Sequence, residues 1–244
     1  MSDIHIDIQN KTYTTADAQQ HTAISDLKLT LAENKFVCLV GPSGCGKTTL
    51  LNIIANLDTQ YQGEIALGLN HNKPNIGYIF QNPRLLPWRT VRENIELALD
   101  NPQSEIIDSL LEAMQLMHIQ HSYPEHLSLG MSRRISIIRA FAINPDILLM
   151  DEPFVSLDAP TARQVRGLLM ELWQQRPHTI LFVTHDLREA IALADRLVFL
   201  SASPMSVVSE VEVTIPRAER DNEQMIEIFR QHLLTHHPEI KELL

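Results

Sequence analysis

The sequence predicts an α/β domain built on a mostly parallel sheet, with an antiparallel β lobe ahead of it and a helical segment inserted into it. Three observations lead there. Short apolar runs at residues 36–40, 76–80, 147–150, 179–183 and 197–200 alternate with amphipathic stretches of helical period, and strands separated by helices pair in parallel. Residues 4–31 open instead with Ile4, Ile6 and Ile8 in period two, as in an antiparallel strand with one buried face. Residues 82–125 show only helical spacing, so a helical subdomain, reaching to about residue 143, is expected between two strands of the sheet.

Element by element, the run at 36–40 reads as a buried strand leading into a glycine-rich turn and a helix over 46–56. Asn56 marks the end of that helix, because Asn tolerates the left-handed turn at a helix C-terminus. Helices are expected at 91–99 and 105–117. Met131, Ile135, Ile138 and Ala142 recur at helical spacing and predict another over 132–143. The strands at 147–150, 179–183 and 197–200 are separated by helices near 162–174 and 187–194. Two short strands and a polar helix over 220–234 complete a C-terminal tail, 201–244, and the chain 1–244 reads as one domain.

Composition narrows the function. Hydrophobic residues make up 44% of 244, an ordinary globular share, and the formal charge is −10. That balance argues against nucleic acid or an anionic membrane surface as the partner, since both call for a basic footprint. No apolar window approaches the roughly 20 residues that span a bilayer, and no signal peptide is visible. The expectation is a soluble chain that reaches a membrane only through another subunit. Two cysteines, Cys38 and Cys45, make no disulfide framework and fit a reducing compartment.

The glycine-rich turn is Gly41-Pro42-Ser43-Gly44-Cys45-Gly46-Lys47-Thr48, which satisfies the phosphate-loop pattern between an apolar strand and an amphipathic helix. The glycines let consecutive backbone N–H groups curl around phosphate oxygens, and the helix N-terminus adds its dipole. Lys47 can reach β- and γ-phosphates, and the Thr48 hydroxyl can ligate Mg²⁺. A chance match in a chain this long is about one in a hundred, so a plain glycine turn is the weaker reading. The fold expected is therefore a P-loop nucleoside-triphosphatase core.

A second site lies at the end of the run Ile147-Leu148-Leu149-Met150-Asp151-Glu152-Pro153. An Asp at such a strand tip can hold the Mg²⁺ shell, and Glu152, expected on the opposite face by strand alternation, can polarise an attacking water. Gln81 and His185 each directly follow an apolar strand, and Leu127-Ser128-Leu129-Gly130-Met131 precedes the helix expected at 132. Asn72-Lys73-Pro74-Asn75 lacks the final Asp that would read guanine, which argues against a GTPase.

In this order the five pieces resemble the ATP-binding cassette family over residues 4–204. The resemblance identifies Gln81 with the Q-loop, His185 with the switch histidine, Ser128 and Gly130 with the signature, and Val155-Ser156-Leu157-Asp158 with the D-loop. It implies ATP and Mg²⁺ as cofactors and a head-to-tail homodimer in which one copy's signature meets the other's P-loop. Nucleotide contacts are then expected from Tyr13 (stacked on adenine), the loop residues Gly41, Pro42, Ser43, Gly44, Cys45, Gly46, Lys47, Thr48 and Thr49, and Ser128, Gly130 and Asp158. Thr48, Gln81 and Asp151 fall to the metal; Glu152 is the general base, with His185 and Gln81 beside it.

Phe80-Gln81-Asn82-Pro83-Arg84-Leu85-Leu86-Pro87-Trp88 is similar to the ATPases of bacterial nitrate, sulfonate and taurine importers, as are Asp151-Glu152-Pro153-Phe154 and Thr184-His185-Asp186-Leu187-Arg188-Glu189-Ala190. That implies an ATPase subunit on the cytoplasmic side of the inner membrane, held by permease subunits and linked through them to a substrate-binding protein. An exposed Leu-Leu-Pro-Trp segment would suit such docking, whereas local packing of Trp88 is the plainer account. A soluble non-transport cassette and a degenerate regulatory subunit are the alternatives. The latter rests on departures from the family signature: Leu129 stands for its first Gly, Met131 for its Gln and Arg133-Arg134 for its Gln-Arg. The effect expected of Leu129 is mild, because Ser128 and Gly130 supply the phosphate contacts.

Overall fold

The computed structural model describes residues 3–14, 19–68, 74–241 and 243; Asn72 and Lys73 of the segment weighed for guanine lie outside them. The chain forms two compact units, one of residues 1–73 and 179–244, the other of residues 74–178.

The first unit holds the predicted antiparallel lobe. Strands β1 (Ile4–Thr14) and β2 (Gln20–Leu31) pair antiparallel, and β1 pairs on its other edge with β4 (Gln62–Ala66), giving the order β2-β1-β4. Ile4, Ile6 and Ile8 are buried, as the period-two pattern requires. Past Ile8 the register slips by one residue against β4, and the buried position moves from even to odd, to Lys11. An extra residue in a strand flips every later side chain to the other face.

The same unit contains β3 (Phe36–Val40), which pairs in parallel with β7 (Thr179–Thr184) and β8 (Arg196–Leu200). Every residue of β3 and β7 is buried, which fits strands covered on both faces. An antiparallel strand, β9 (Val207–Glu212), closes the edge beyond β8. It is the single named strand past residue 201 among the described residues, where two were expected; Met205 makes only an isolated bridge to Ile24. Helices α1 (Lys47–Ile54), α6 (Leu187–Leu193), α7 (Glu223–His236) and α8 (Pro238–Lys241) belong here too, and Asn56 has the expected positive φ, 56°.

The second unit carries β5 (Ile76–Ile79) parallel to β6 (Ile147–Asp151), with α2 (Val91–Glu96), α3 (Ser104–Ala113) and α4 (Leu129–Ala142) between them in sequence and α5 (Ala159–Gln175) after them. Helix α4 starts three residues before the periodicity suggested. Ser128 explains this: its Oγ accepts from the Met131 N–H at 3.2 Å, so the cap sits ahead of the first apolar residue. No helix among the described residues is long and apolar enough to cross a membrane.

Candidate functional site

In the first unit the phosphate loop joins buried β3 to α1. Gly44 and Gly46 have φ of +76° and +117°, and a Cβ at Gly46 would stand 3.2 Å from the Ala23 carbonyl oxygen. Backbone conformation and a close neighbour both demand glycine there. Gly46 is also the N-cap of α1, which has no side-chain cap and no acid in its first turn. Helices α2, α4, α5, α6 and α7 each begin at a capping side chain, from Thr90, Ser128, Asp158, Asp186 and Asn222. The N-terminus of α1 thus lacks the side-chain cap that those helices have, and its first turn carries no acid.

Lys47 adds a cation to that end. Its Nζ donates to the Gly41 and Pro42 carbonyl oxygens, each at 2.7 Å, and lies 3.8 Å from Cys45 Sγ. The residue is buried and has no carboxylate partner among the described residues. A desolvated ammonium served only by neutral acceptors beside an open helix N-terminus is suited to an external anion. A phosphate chain fits this site.

Tyr13 reaches the same helix from β1. Its hydroxyl donates to Asp58 Oδ2 at 3.1 Å and lies 3.2 Å from Thr49 Oγ1, two positions along α1 from Lys47. Lys11 Nζ sits 4.5 Å above the ring centroid. Burial pushes the Asp58 carboxyl up, but hydrogen bonds from Lys11, the Gln60 N–H and Tyr13 outweigh it and hold the group below the usual carboxylate range. His185 follows β7 on an exposed turn. That turn is braced from inside: Thr184 Oγ1 donates to the buried Glu189 at 2.8 Å and accepts from the Asp186 N–H at 3.1 Å, while Asp186 caps α6.

In the second unit β6 delivers Asp151, which is buried. Glu152 leaves the strand altogether. Its φ is +45°, so strand alternation does not set its direction, contrary to the sequence expectation. A non-glycine residue held left-handed costs on the order of 1–3 kcal/mol and is found where surrounding structure over-determines it. The turn brings Glu152 to Gln81, whose Nε2 donates to Glu152 Oε2 at 3.5 Å. Burial, and then the charge of Asp151, push the Tyr78 phenol well above its ordinary range.

The signature segment is the start of α4. Ser128 is exposed at the cap, Gly130 is buried, and a Cβ on Gly130 would come within 2.7 Å of Thr161 Cγ2. Leu129 is 42% exposed in ordinary helical backbone, with no positive φ. Asp158 is engaged locally as the cap of α5. It accepts from the Thr161 N–H at 3.0 Å and hydroxyl at 2.7 Å, which hold its carboxyl below the usual range.

Two arginines hold this unit together in a way the sequence did not assign, Arg133 having stood out only as a departure from the family signature. Arg133 is 3% exposed and donates to the Phe80 and Val155 carbonyl oxygens, at 3.1 and 3.5 Å. Arg139 donates to the carbonyl oxygens of Pro83 and Arg84. Both tie α4 to the strand exit that carries Gln81. No periodic signal marks Arg133, which lies on the side of the helix opposite Met131, Ile135, Ile138 and Ala142. Trp88 is 69% exposed, so it does not pack locally. Its loop is nonetheless held, because the buried Asn94 side chain accepts from the Leu86 N–H at 2.7 Å and donates to the Leu86, Arg89 and Thr90 carbonyl oxygens.

Residues 24–155 match the family model for the ABC transporter. The chain is 35% identical over 246 residues to the aliphatic sulfonates import ATP-binding protein SsuB of Bacillus subtilis (strain 168), covering 98% of this chain and 96% of that protein. It is 36% identical over 236 residues to the nitrate import ATP-binding protein NrtD of Synechococcus elongatus, covering 92% and 85%. Among solved structures it resembles MJ0796, described as a bacterial ABC transporter cassette, in its dimeric form (TM-score 0.75, 29% identity, covering 87% of this chain and all of that one). A dimeric post-hydrolysis state of the same cassette, bound to ADP and Pi, matches with a TM-score of 0.75 at 28% identity. An open, lysine-bearing phosphate loop together with a sequence match running most of the chain's length gives one conclusion: the chain belongs to the ABC transporter family.

Proposed function

We propose that the chain is the ATP-binding and ATP-hydrolysing subunit of an importer for a small nutrient of the nitrate, sulfonate or taurine kind. The observation that carries the nucleotide part is the uncapped N-terminus of α1 with Lys47 buried beside it. The import part rests on the relatives named above, two of which are import ATP-binding proteins.

In this reading the loop from Gly41 to Thr48 binds the triphosphate and Tyr13 stacks on the base. Thr48, Gln81 and Asp151 supply a hydroxyl, an amide oxygen and a carboxylate, all hard oxygen donors, and this donor set suits Mg²⁺. Held there, Mg²⁺ would supply positive charge to offset that on the phosphate oxygens. Glu152 accepts a proton from the water that attacks the γ-phosphorus as the bond to the β-phosphate oxygen breaks, leaving ADP and phosphate. Gln81 orients Glu152 through its amide, and His185 donates to the γ-phosphate.

Two copies form the working unit, a reading supported by the dimeric form of MJ0796. Ser128 and Gly130 of each copy then meet the nucleotide on the other's loop. Ser128 Oγ is already an acceptor for its own helix, but its hydroxyl hydrogen remains for a phosphate oxygen. In this reading the exposed Trp88 loop, held by Asn94, is the permease contact, and the chain works at the cytoplasmic face of the membrane.

Glu152→Gln tests the assignment. It keeps the shape and the Gln81 contact but removes the base, so phosphate release falls by about 10²- to 10⁴-fold with ATP affinity retained. ATP should then hold the chain as a dimer on gel filtration. Hydrolysis at near wild-type rate would remove Glu152 from the mechanism.

A further inference from the structure

We propose that Lys11 and Asp58 are positioning residues that set the Tyr13 ring for the adenine base and make nucleotide affinity base-dependent. The inference rests on the reading that Tyr13 stacks on adenine. It adds two residues that do not touch ATP and act only through that ring.

Sequence distance hides the cluster. Lys11 and Tyr13 lie on β1, Asp58 follows α1, and 47 residues separate Lys11 from Asp58. The one-residue slip in β1 turns Lys11 inward, where it is 2% exposed. There its ammonium has two oxygen partners, Asp58 Oδ1 and the Gln60 carbonyl oxygen, both at 2.7 Å. The Tyr13 ring is its third neighbour, 4.5 Å from Nζ to the centroid. Asp58 is committed as fully: Oδ1 accepts from Lys11 and the Gln60 N–H, and Oδ2 accepts from the Tyr13 hydroxyl.

The ring is thereby fixed at two points. One face carries a buried cation, and the hydroxyl is tied at the edge to Asp58 and to Thr49 in the first turn of α1. Tyr13 remains 40% exposed, so surface is left for a ligand. A cation on one face draws electron density from the other, which favours stacking against an electron-rich purine. The tie to Thr49 keeps the ring in register with the phosphate loop, so base and triphosphate are bound as one rigid span. A ring free to rotate would have to be ordered on each binding event, which lowers affinity.

The test compares a ligand with a base and one without. Binding of MgATP and of Mg tripolyphosphate to the full chain is measured by titration calorimetry for wild type, Lys11→Met, Asp58→Asn, Tyr13→Phe and Tyr13→Ala. Lys11→Met and Asp58→Asn should each weaken ATP by about 5- to 10-fold and leave tripolyphosphate within about 2-fold. Tyr13→Phe, which keeps the ring and loses the tie, should fall between them and wild type. A merely structural role would weaken both ligands alike, and that outcome overturns the proposal. So does an unchanged ATP affinity in Asp58→Asn, which decides the matter if Lys11→Met fails to fold. Should Tyr13→Ala weaken ATP and tripolyphosphate equally, the stacking reading itself fails. If Tyr13→Ala weakens ATP alone while the two positioning variants do not, only the role of Lys11 and Asp58 is overturned.

Discussion

Helices α1 and α4 both start at segments read as phosphate-binding, and they start in opposite ways. Helix α1 begins on a left-handed glycine with no capping side chain and a buried lysine alongside. Helix α4 begins on Ser128, which already caps it, and continues into an exposed leucine. The first end has no capping side chain and no acid in its first turn, and so is fitted to hold an anion. The second is satisfied locally and offers only a hydroxyl hydrogen and a helix dipole, a weaker attraction that needs the nucleotide brought to it. The difference fits a division of labour in which one end binds ATP within a copy and the other responds to a second copy.

Three substitutions sharpen or break that contrast. Gly46→Ala should have the largest effect. It places a Cβ at a φ of +117° and 3.2 Å from the Ala23 carbonyl oxygen, strain on the order of 1–3 kcal/mol, so ATP affinity falls about 5- to 150-fold. Unchanged affinity by calorimetry would mean that the loop binds phosphate in a different backbone shape.

Ser128→Ala comes next and should act differently. The lost cap lowers stability by about 1 kcal/mol, visible as a drop in the urea midpoint. ATP affinity of the isolated chain should stay at the wild-type value, while ATP-dependent dimerisation of the Glu152→Gln background weakens. An equal loss in single-copy ATP binding would erase the distinction between the two helix ends.

Leu129→Gly should do least. Leu129 lies in ordinary helical backbone, so no strain waits to be relieved, and glycine costs the helix about 0.5–1 kcal/mol. Hydrolysis should change by less than about 2-fold. A large gain in rate would show that the leucine side chain obstructs closure of the dimer by bulk, not by backbone conformation.

Much of the site was legible because it is contiguous. The phosphate loop is eight consecutive residues, and Asp151-Glu152, Gln81 and His185 each sit at the exit of an apolar strand that period and composition reveal. The start of α4 was misplaced because the periodicity marks buried residues, while the cap is set by a polar side chain ahead of them. Glu152 was given a direction by strand alternation, which holds only while the backbone stays extended; at φ +45° it does not.

By itself, then, the sequence determined the order of the elements, the phosphate loop and the family, since each depends on neighbours along the chain. Tertiary structure alone decided that Lys11 turns inward to Asp58, that Arg133 lies buried against the Phe80 and Val155 carbonyls, and that Trp88 faces outward while Asn94 holds its loop. Those outcomes depend on register slips and on partners several to dozens of residues away. A one-residue bulge changes which face a side chain occupies, and no local pattern of residue types records it.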